Sequence, residues 1–314
     1  MDAKVTDHIW NVQSLADRFL LRAAARPFVT EECLNLYLSP HLDDALFSCA
    51  GLIYAQRHAG ERVGVLTLCA GLPSPGSLSP LAREYESAWG GLGAGMAARR
   101  AEDAALLSSW GVESWECETQ DAIYRADKGV PYYETRASLF RKPHPQDAAS
   151  LLPFWQTRFR QLAEEEAHGL LLYAPLGVGG HVDHELARGL GERMGEGGWR
   201  VWFYEDYPYV ELEAGGVRAA QARFGIHTWT SRIMPIDVRA KIDAVRAYHT
   251  QMGRVFGSEK DLARRVKGFT AETACALNPW ERVRRRLAPS GLRLRLWRRV
   301  LGYHGHAERI WTWS

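Results

Sequence analysis

Short apolar runs alternate with amphipathic stretches over most of the chain. Leu34–Leu38 (LNLYL) reads as a strand, and the helical pattern resumes over Ala45–Arg57. Arg62–Cys69 (RVGVLTLC) is a second strand, the spacing of Ala104, Leu106 and Leu107 predicts a helix over Arg99–Trp110, and Ser114–Cys117 begins a third strand. An amphipathic helix over Phe154–Ala167 leads into the strand Gly169–Ala174 (GLLLYA), followed by a helix over His184–Met194 and the strand Trp199–Tyr204 (WRVWFY). Apolar strands separated by helices of this length predict β-α-β units. The fold class is therefore α/β: a Rossmann-like, mostly parallel sheet with helices on both faces. Gly71–Gly95 and Lys128–Asp147 break the alternation and read as long loops, of the kind that often form lids. From about Arg239 the pattern gives a helix, a variable segment and a strand-like ERIWTW (Glu308–Trp313). No internal repeat or boundary interrupts the pattern, so residues 1–314 are expected to form one domain.

Composition narrows the functional classes. With 46% hydrophobic and 24% charged residues the chain has a globular balance. Its 39 Lys+Arg against 37 Asp+Glu leave a net charge of +2, which gives no reason to expect a nucleic-acid partner. Five cysteines, odd in number and never in a C-x-x-C pair, argue against a disulfide framework and for a reducing compartment. Charges at Asp2, Lys4, Asp7, Asp17, Arg18 and Arg22 interrupt the N-terminal stretch, and no run approaches the about 18 apolar residues of a membrane helix. A cytoplasmic protein without stable membrane insertion is expected. The oligomeric state leaves no mark in the sequence. The Arg-rich stretch from Arg282 to Arg299 (the basic segment at about 280–300) is expected to be a solvated helix face packed on the domain. Near a pocket, it would attract an anionic substrate.

Two clusters carry chemistry. Ser39-Pro40-His41-Leu42-Asp43-Asp44 follows the first strand, and Gly179-Gly180-His181-Val182-Asp183-His184 follows the strand Gly169–Ala174. In parallel sheets reactive groups gather beyond the C-terminal strand ends, so both clusters fall on one edge. Helix capping would account for one aspartate at a helix start. It accounts poorly for a histidine with two adjacent aspartates, because neighbouring carboxylates repel unless a cation offsets them. Histidines with an aspartate between them have the composition of a metal site. Tyr207 and Tyr209, past the strand Trp199–Tyr204, are the aromatic candidates for stacking on a sugar ring. His144-Pro145-Gln146-Asp147 mimics a metal motif, but it lies in a polar loop and is read as chance.

SPHLDDALFS and GGHVDHELA together resemble the PIG-L/LmbE-like deacetylase family, with its His-Pro-Asp-Asp-Glu and His-x-Asp-His motifs. The likeness spans most of the chain. It takes in Arg99 and Glu102, Asp121, the segment Tyr204–Tyr209 (YEDYPY) and Lys241, Ala244, His249 and Gln251. The resemblance implies a zinc ion, or another divalent metal, held by His41, Asp44 and His184 with a water as open ligand. It implies Asp43 as general base, and His181 as general acid or oxyanion donor oriented by Asp183. Arg99 and Asp121 would hold substrate hydroxyls or a neighbouring group. Leu42 and Ala45 stand where the family usually has Pro and Glu, and neither position supplies a ligand. The implied activity is removal of the acetyl group from an N-acetylglucosamine-type amino-sugar conjugate. The alternatives are a zinc amidase for another amide, and a non-catalytic carbohydrate- or polyanion-binding protein; Asp43 and His181 argue against the latter, since binding alone requires neither.

Overall fold

The computed structural model describes residues 33–74, 78–166, 169–225, 227–275 and 305–313. The Arg-rich stretch at 282–299 lies outside the described residues. Among these, one sheet of seven strands carries the fold: β1 (Leu34–Ser39), β2 (Arg62–Thr67), β3 (Glu113–Glu116), β4 (Leu170–Pro175), β5 (Val201–Tyr204), β6 (Trp229–Pro235) and β7 (Ala307–Trp313), in the order β3-β2-β1-β4-β5-β7-β6. The first five are mutually parallel, and β7 joins β5 and β6 antiparallel.

Both faces of the central strands are buried, which is why they read as nearly unbroken apolar runs. Alternate residues serve different layers. Leu34, Leu36 and Leu38 of β1 join Leu170 and Leu172 of β4 in one core cluster, with Trp155, Phe159 and Leu186. Tyr37 and Tyr173 face the other cluster, paired in register across the strands and stacked with ring centroids 4.3 Å apart. Helices α4 (Pro145–Glu164) and α5 (Val182–Glu196) cover the first face. On the second lie α1 (Asp44–His58), α6 (Val238–Ala247), α7 (His249–Phe256) and α8 (Glu259–Cys275).

The strand order reverses between β1 and β4. The chain leaves β1 into α1 on one face and leaves β4 into α5 on the other, so a crevice opens between the two loops. Such a switch point is where open α/β sheets bind ligands.

The structure corrects three expectations about the connections. Gly71–Gly95 is not a continuous loop: it contains α2 (Pro80–Ala88), begun by the Ser79 hydroxyl accepting from Ala82 N–H at 3.0 Å and by Pro80 in the first turn. It also reaches the start of α3 (Ala94–Ser109). Lys128–Asp147 holds part of a two-residue-strand hairpin and a 3-10 turn, Arg136–Phe140. Its last residues open α4, which begins at Pro145, nine residues before Phe154. β6 was not anticipated: its polar and apolar residues are half-exposed at the sheet edge and show no clean period. No helix among the described residues is long and apolar enough to cross a membrane.

On α3, buried Asp103 accepts the Tyr248 hydroxyl at 2.5 Å. Burial pushes its carboxyl up to about 7, against the hydrogen bond from Tyr248, which lowers it. With the folded-state value above the unfolded one, the native protein holds this proton more tightly. The stability it supports is complete below about pH 4 and is lost as pH rises through about 7. Chemical-denaturation midpoints of Asp103→Asn should lack that component. The advantage of wild type over the variant is expected to shrink by up to about 1.4 kcal/mol per pH unit as pH rises across this window, and a constant difference would contradict it.

Candidate functional site

His41, Asp43 and Asp44 occupy the turn from β1 into α1. Asp43 is the residue preceding the helix, yet its side chain makes no capping hydrogen bond. Its Oδ1 instead accepts Arg99 Nη2 at 3.2 Å. Asp44 accepts the His41 backbone N–H at 2.9 Å and lies 3.0 Å from His41 Nδ1 through the same oxygen, Oδ2. Capping therefore does not account for the paired aspartates.

Across the crevice, the loop after β4 delivers His181 and His184. Gly179 has φ +87°, and a Cβ there would sit 2.6 Å from the Tyr209 ring, so glycine is required where the loop passes under that aromatic. His184 Nε2 reaches Asp44 Oδ2 at 3.2 Å. One donor atom each from His41, Asp44 and His184 thus lies within 4.8 Å of the others. Donors on a tetrahedral zinc, with bonds of about 2.0–2.1 Å, stand roughly 3.3 Å apart. The spacing fits.

The second nitrogen of each imidazole is backed by a buried carboxylate. His41 Nε2 lies 3.0 Å from Asp183 Oδ2, and His184 Nδ1 lies 2.7 Å from Asp206 Oδ1. Metal-binding histidines characteristically present this pairing, which fixes the tautomer and the ring orientation. The electrostatics agree. Burial alone would lower both histidines, but Asp121, Asp183 and Asp44 raise His41 well above its ordinary value, while Asp44 and Asp206 raise His184 to about 10. Burial would raise Asp44, yet His184 and His41 hold it well below the usual carboxylate range. The carboxylates of Asp43, Asp44, Asp121, Asp183 and Asp206 outnumber the guanidiniums of Arg99 and Arg125, and the cluster demands positive charge. A divalent cation held by neutral imidazoles would meet that demand, with release of the protons.

Asp183 departs from the expectation that it orients His181. Its carboxylate hydrogen-bonds across the crevice from the first turn of α5 to His41, whereas His181 Nδ1 receives a hydrogen bond from the Asp183 backbone N–H at 3.3 Å and feels the carboxylate only through space. A neutral His181 accepting there carries its proton on Nε2. Burial lowers His181 to about 4, with Asp183 opposing and His41 and His184 reinforcing, so the ring is uncharged at neutral pH.

Arg99 and Asp121 are both brought to the site. Arg99 is engaged with Asp43, and Asp121 Oδ2 lies 3.5 Å from His41 Nε2 while its Oδ1 accepts Ile123 N–H. Tyr207 is not at the site. Its backbone N–H is held by Ser48 Oγ at 3.1 Å, and its ring packs on Phe256 and Phe269 in the core. The neighbouring candidate, Tyr209, stands instead with its ring 5.5 Å from His184. Phe140, half-exposed at the end of the 3-10 turn, meets His181 edge-on at 5.4 Å and Tyr209 at 6.4 Å. His144 precedes α4, and it is Asp147 of that motif that matters, as a buried acceptor for Arg125 and Tyr133.

Sequence reasoning missed Asp206 and Phe140. Asp206 carried a usable signal, an acidic residue just past the third parallel strand bordering the crevice; Phe140, an apolar residue in a polar loop, carried none. Asp206→Asn should weaken metal binding by roughly 10–100-fold, measured by equilibrium dialysis; wild-type affinity would remove Asp206 from this role.

Comparisons with known proteins converge on one group. A family model described as PIG-L, GlcNAc-PI de-N-acetylase, matches residues 36–194, a span that takes in both motifs. The 2'-N-acetylparomamine deacetylase of Niallia circulans is 31% identical over 245 residues, 72% of this chain and 83% of that protein. The zinc-inhibited form of teicoplanin deacetylase aligns with a TM-score of 0.67 at 22% identity, over 90% of this chain and 98% of that one. A pseudoaglycone deacetylase of an antimicrobial reagent aligns with a TM-score of 0.63 at 20% identity, over 91% and 98%. At these identities the solved structures speak for the fold.

Proposed function

We propose, for a chain that belongs to the PIG-L family of GlcNAc-PI de-N-acetylases and is accordingly an N-deacetylase, that it removes the acetyl group from an N-acetylglucosamine-type amino sugar carried on a larger conjugate, using zinc held by His41, Asp44 and His184. One observation carries the reading: three donors at ligand spacing, each imidazole braced by its own carboxylate, with Asp43 and His181 flanking them. The Niallia circulans relative is named for an N-acetylated amino-sugar compound, which supports the substrate class.

Held by His41, Asp44 and His184, a zinc ion would supply a Lewis acid to polarise the acetyl carbonyl and would lower the pKa of a water to about 7. The chain's own residues do the rest. Asp43, with Oδ1 on Arg99 and Oδ2 making no hydrogen bond among the described residues, takes the proton of the attacking water. Burial raises its pKa, with Asp44 adding and Arg99 opposing, which makes it a stronger base than a surface aspartate. His181, neutral with its proton on Nε2, donates to the carbonyl oxygen as negative charge develops there. The proton held by Asp43 then passes to the leaving amine. Tyr209 and Phe140 offer ring faces to the sugar, and Asp121 accepts from a hydroxyl.

The test is release of acetate from N-acetylparomamine and N-acetylglucosamine by protein loaded with zinc and by protein stripped with a chelator. Acetate from the zinc-loaded protein alone supports the reading. Preferential release of a longer acyl group from matched N-acyl substrates would replace it with a broader amidase, and no release at all would overturn it.

A further inference from the structure

A buried chain of polar side chains runs from the excursion between β3 and α4 into the site. Tyr133 donates its hydroxyl to Asp147 Oδ2 at 2.8 Å. Arg125 donates to the same oxygen through Nε at 3.1 Å and Nη2 at 2.8 Å, and through Nη1 to the Gln120 carbonyl at 3.0 Å. Its Nη2 also reaches Asp183 Oδ1 at 2.5 Å. Asp183 Oδ2 then accepts Ala122 N–H at 3.1 Å and faces His41 Nε2 at 3.0 Å. Asp183 is fully buried and Arg125 nearly so.

We propose that Arg125 is a positioning residue for the metal site, holding the Asp183 carboxylate against His41 Nε2 so that His41 presents Nδ1 to the metal. The inference rests on the zinc reading of His41, Asp44 and His184. In that reading His41 would bind through Nδ1, the nitrogen 3.0 Å from Asp44, and His184 through Nε2, so His41 would need its proton on Nε2 and a fixed acceptor there. Asp121 Oδ2, 3.5 Å from the same nitrogen, is a competing acceptor. Without Arg125, the Asp183 carboxylate would keep, among the described residues, only the Ala122 N–H besides His41 itself, and a fully buried carboxylate would lose its guanidinium. The guanidinium satisfies Asp183 and Asp147 at once through its planar fork, which a lysine ammonium reproduces only as a point charge. Asp147, in the first turn of α4, accepts from the same guanidinium and ties the excursion to that helix, while the Gln120 carbonyl and Asp183 hold Arg125 independently of it.

Zinc dissociation constants, measured by competition with a chromophoric chelator on the full-length protein, decide the matter. Arg125→Met and Asp183→Asn should each weaken binding by roughly 10–100-fold, and the double variant should be no weaker than the poorer single one, because both act through one contact. Arg125→Lys should recover part of the loss. Asp147→Asn, which loosens the excursion but leaves the Arg125–Asp183 contact, should stay within about threefold of wild type. A wild-type constant for Arg125→Met, or additive losses in the double variant, would overturn the proposal alone. A loss in Asp147→Asn equal to that in Arg125→Met would make Arg125 a staple of the excursion and overturn it too. Should Arg125→Met not fold, the Arg125→Lys and Asp147→Asn pair carries the same decision. Failure of the wild type to bind zinc would overturn the metal reading itself.

Discussion

Asp43→Ala is expected to lower turnover by about 10²–10⁴, the usual worth of a positioned general base, while zinc content stays at the wild-type level. The geometry separates the two properties. Asp43 and Asp44 are adjacent in sequence, but Asp44 directs Oδ2 to both imidazoles, at 3.0 and 3.2 Å, whereas Asp43 turns to Arg99. Removing the Asp43 carboxylate therefore leaves every proposed metal donor in place. His184→Ala, by contrast, removes a donor and strands Asp206, so metal and activity should vanish together. Steady-state acetate release paired with metal analysis of the same samples tests both. An Asp43→Ala enzyme with wild-type turnover would end its assignment as the base. Zinc retained at full occupancy by His184→Ala would end the ligand set.

The parts of the fold and site that were legible in the sequence are those fixed by local pattern. β1 and β4 are apolar on both faces because both faces are covered, and the loops that follow them carry the two histidine-aspartate clusters. A parallel sheet with a switch point then brings distant loops together without further information. What stayed hidden depends on geometry across the crevice. Asp183 sits between two histidines in the sequence, and its neighbour His181 was the natural partner; only the separation of β1 and α5 in space shows that it serves His41. Tyr207 and Tyr209 are indistinguishable by composition, and what divides them is that Ser48 and Phe256 draw the first into the core while Gly179 leaves room for the second. Ser79-Pro80 was a readable helix start, masked by the density of Gly, Pro and Ser around it. β7 pairs with β5 across about a hundred residues, a pairing that no local pattern announces.

That distant strand is fastened by a charge pair, and breaking it should have the largest effect on stability. Lys241 and Glu308 are both buried, with Nζ 2.6 Å from Glu308 Oε1 and also 2.6 Å from the Ser48 carbonyl. Glu308 accepts Gly51 N–H at 3.3 Å and Leu52 N–H at 2.9 Å, so β7 is tied to α1 and α6 at one point. Lys241→Met leaves a carboxylate in the core with two backbone donors among the described residues, which costs about 3–5 kcal/mol. Lys241→Met combined with Glu308→Leu removes both charges and should recover most of that loss. Because α1 begins at Asp44 and β5, the neighbour of β7, ends just before Asp206, the damage should extend to the site. If the proposed site takes zinc in the folded form alone, zinc should then raise the unfolding midpoint of Lys241→Met in proportion to the logarithm of its concentration. Denaturant midpoints with and without zinc measure both effects. A Lys241→Met protein as stable as wild type would show that the pair contributes nothing to holding β7 on the sheet.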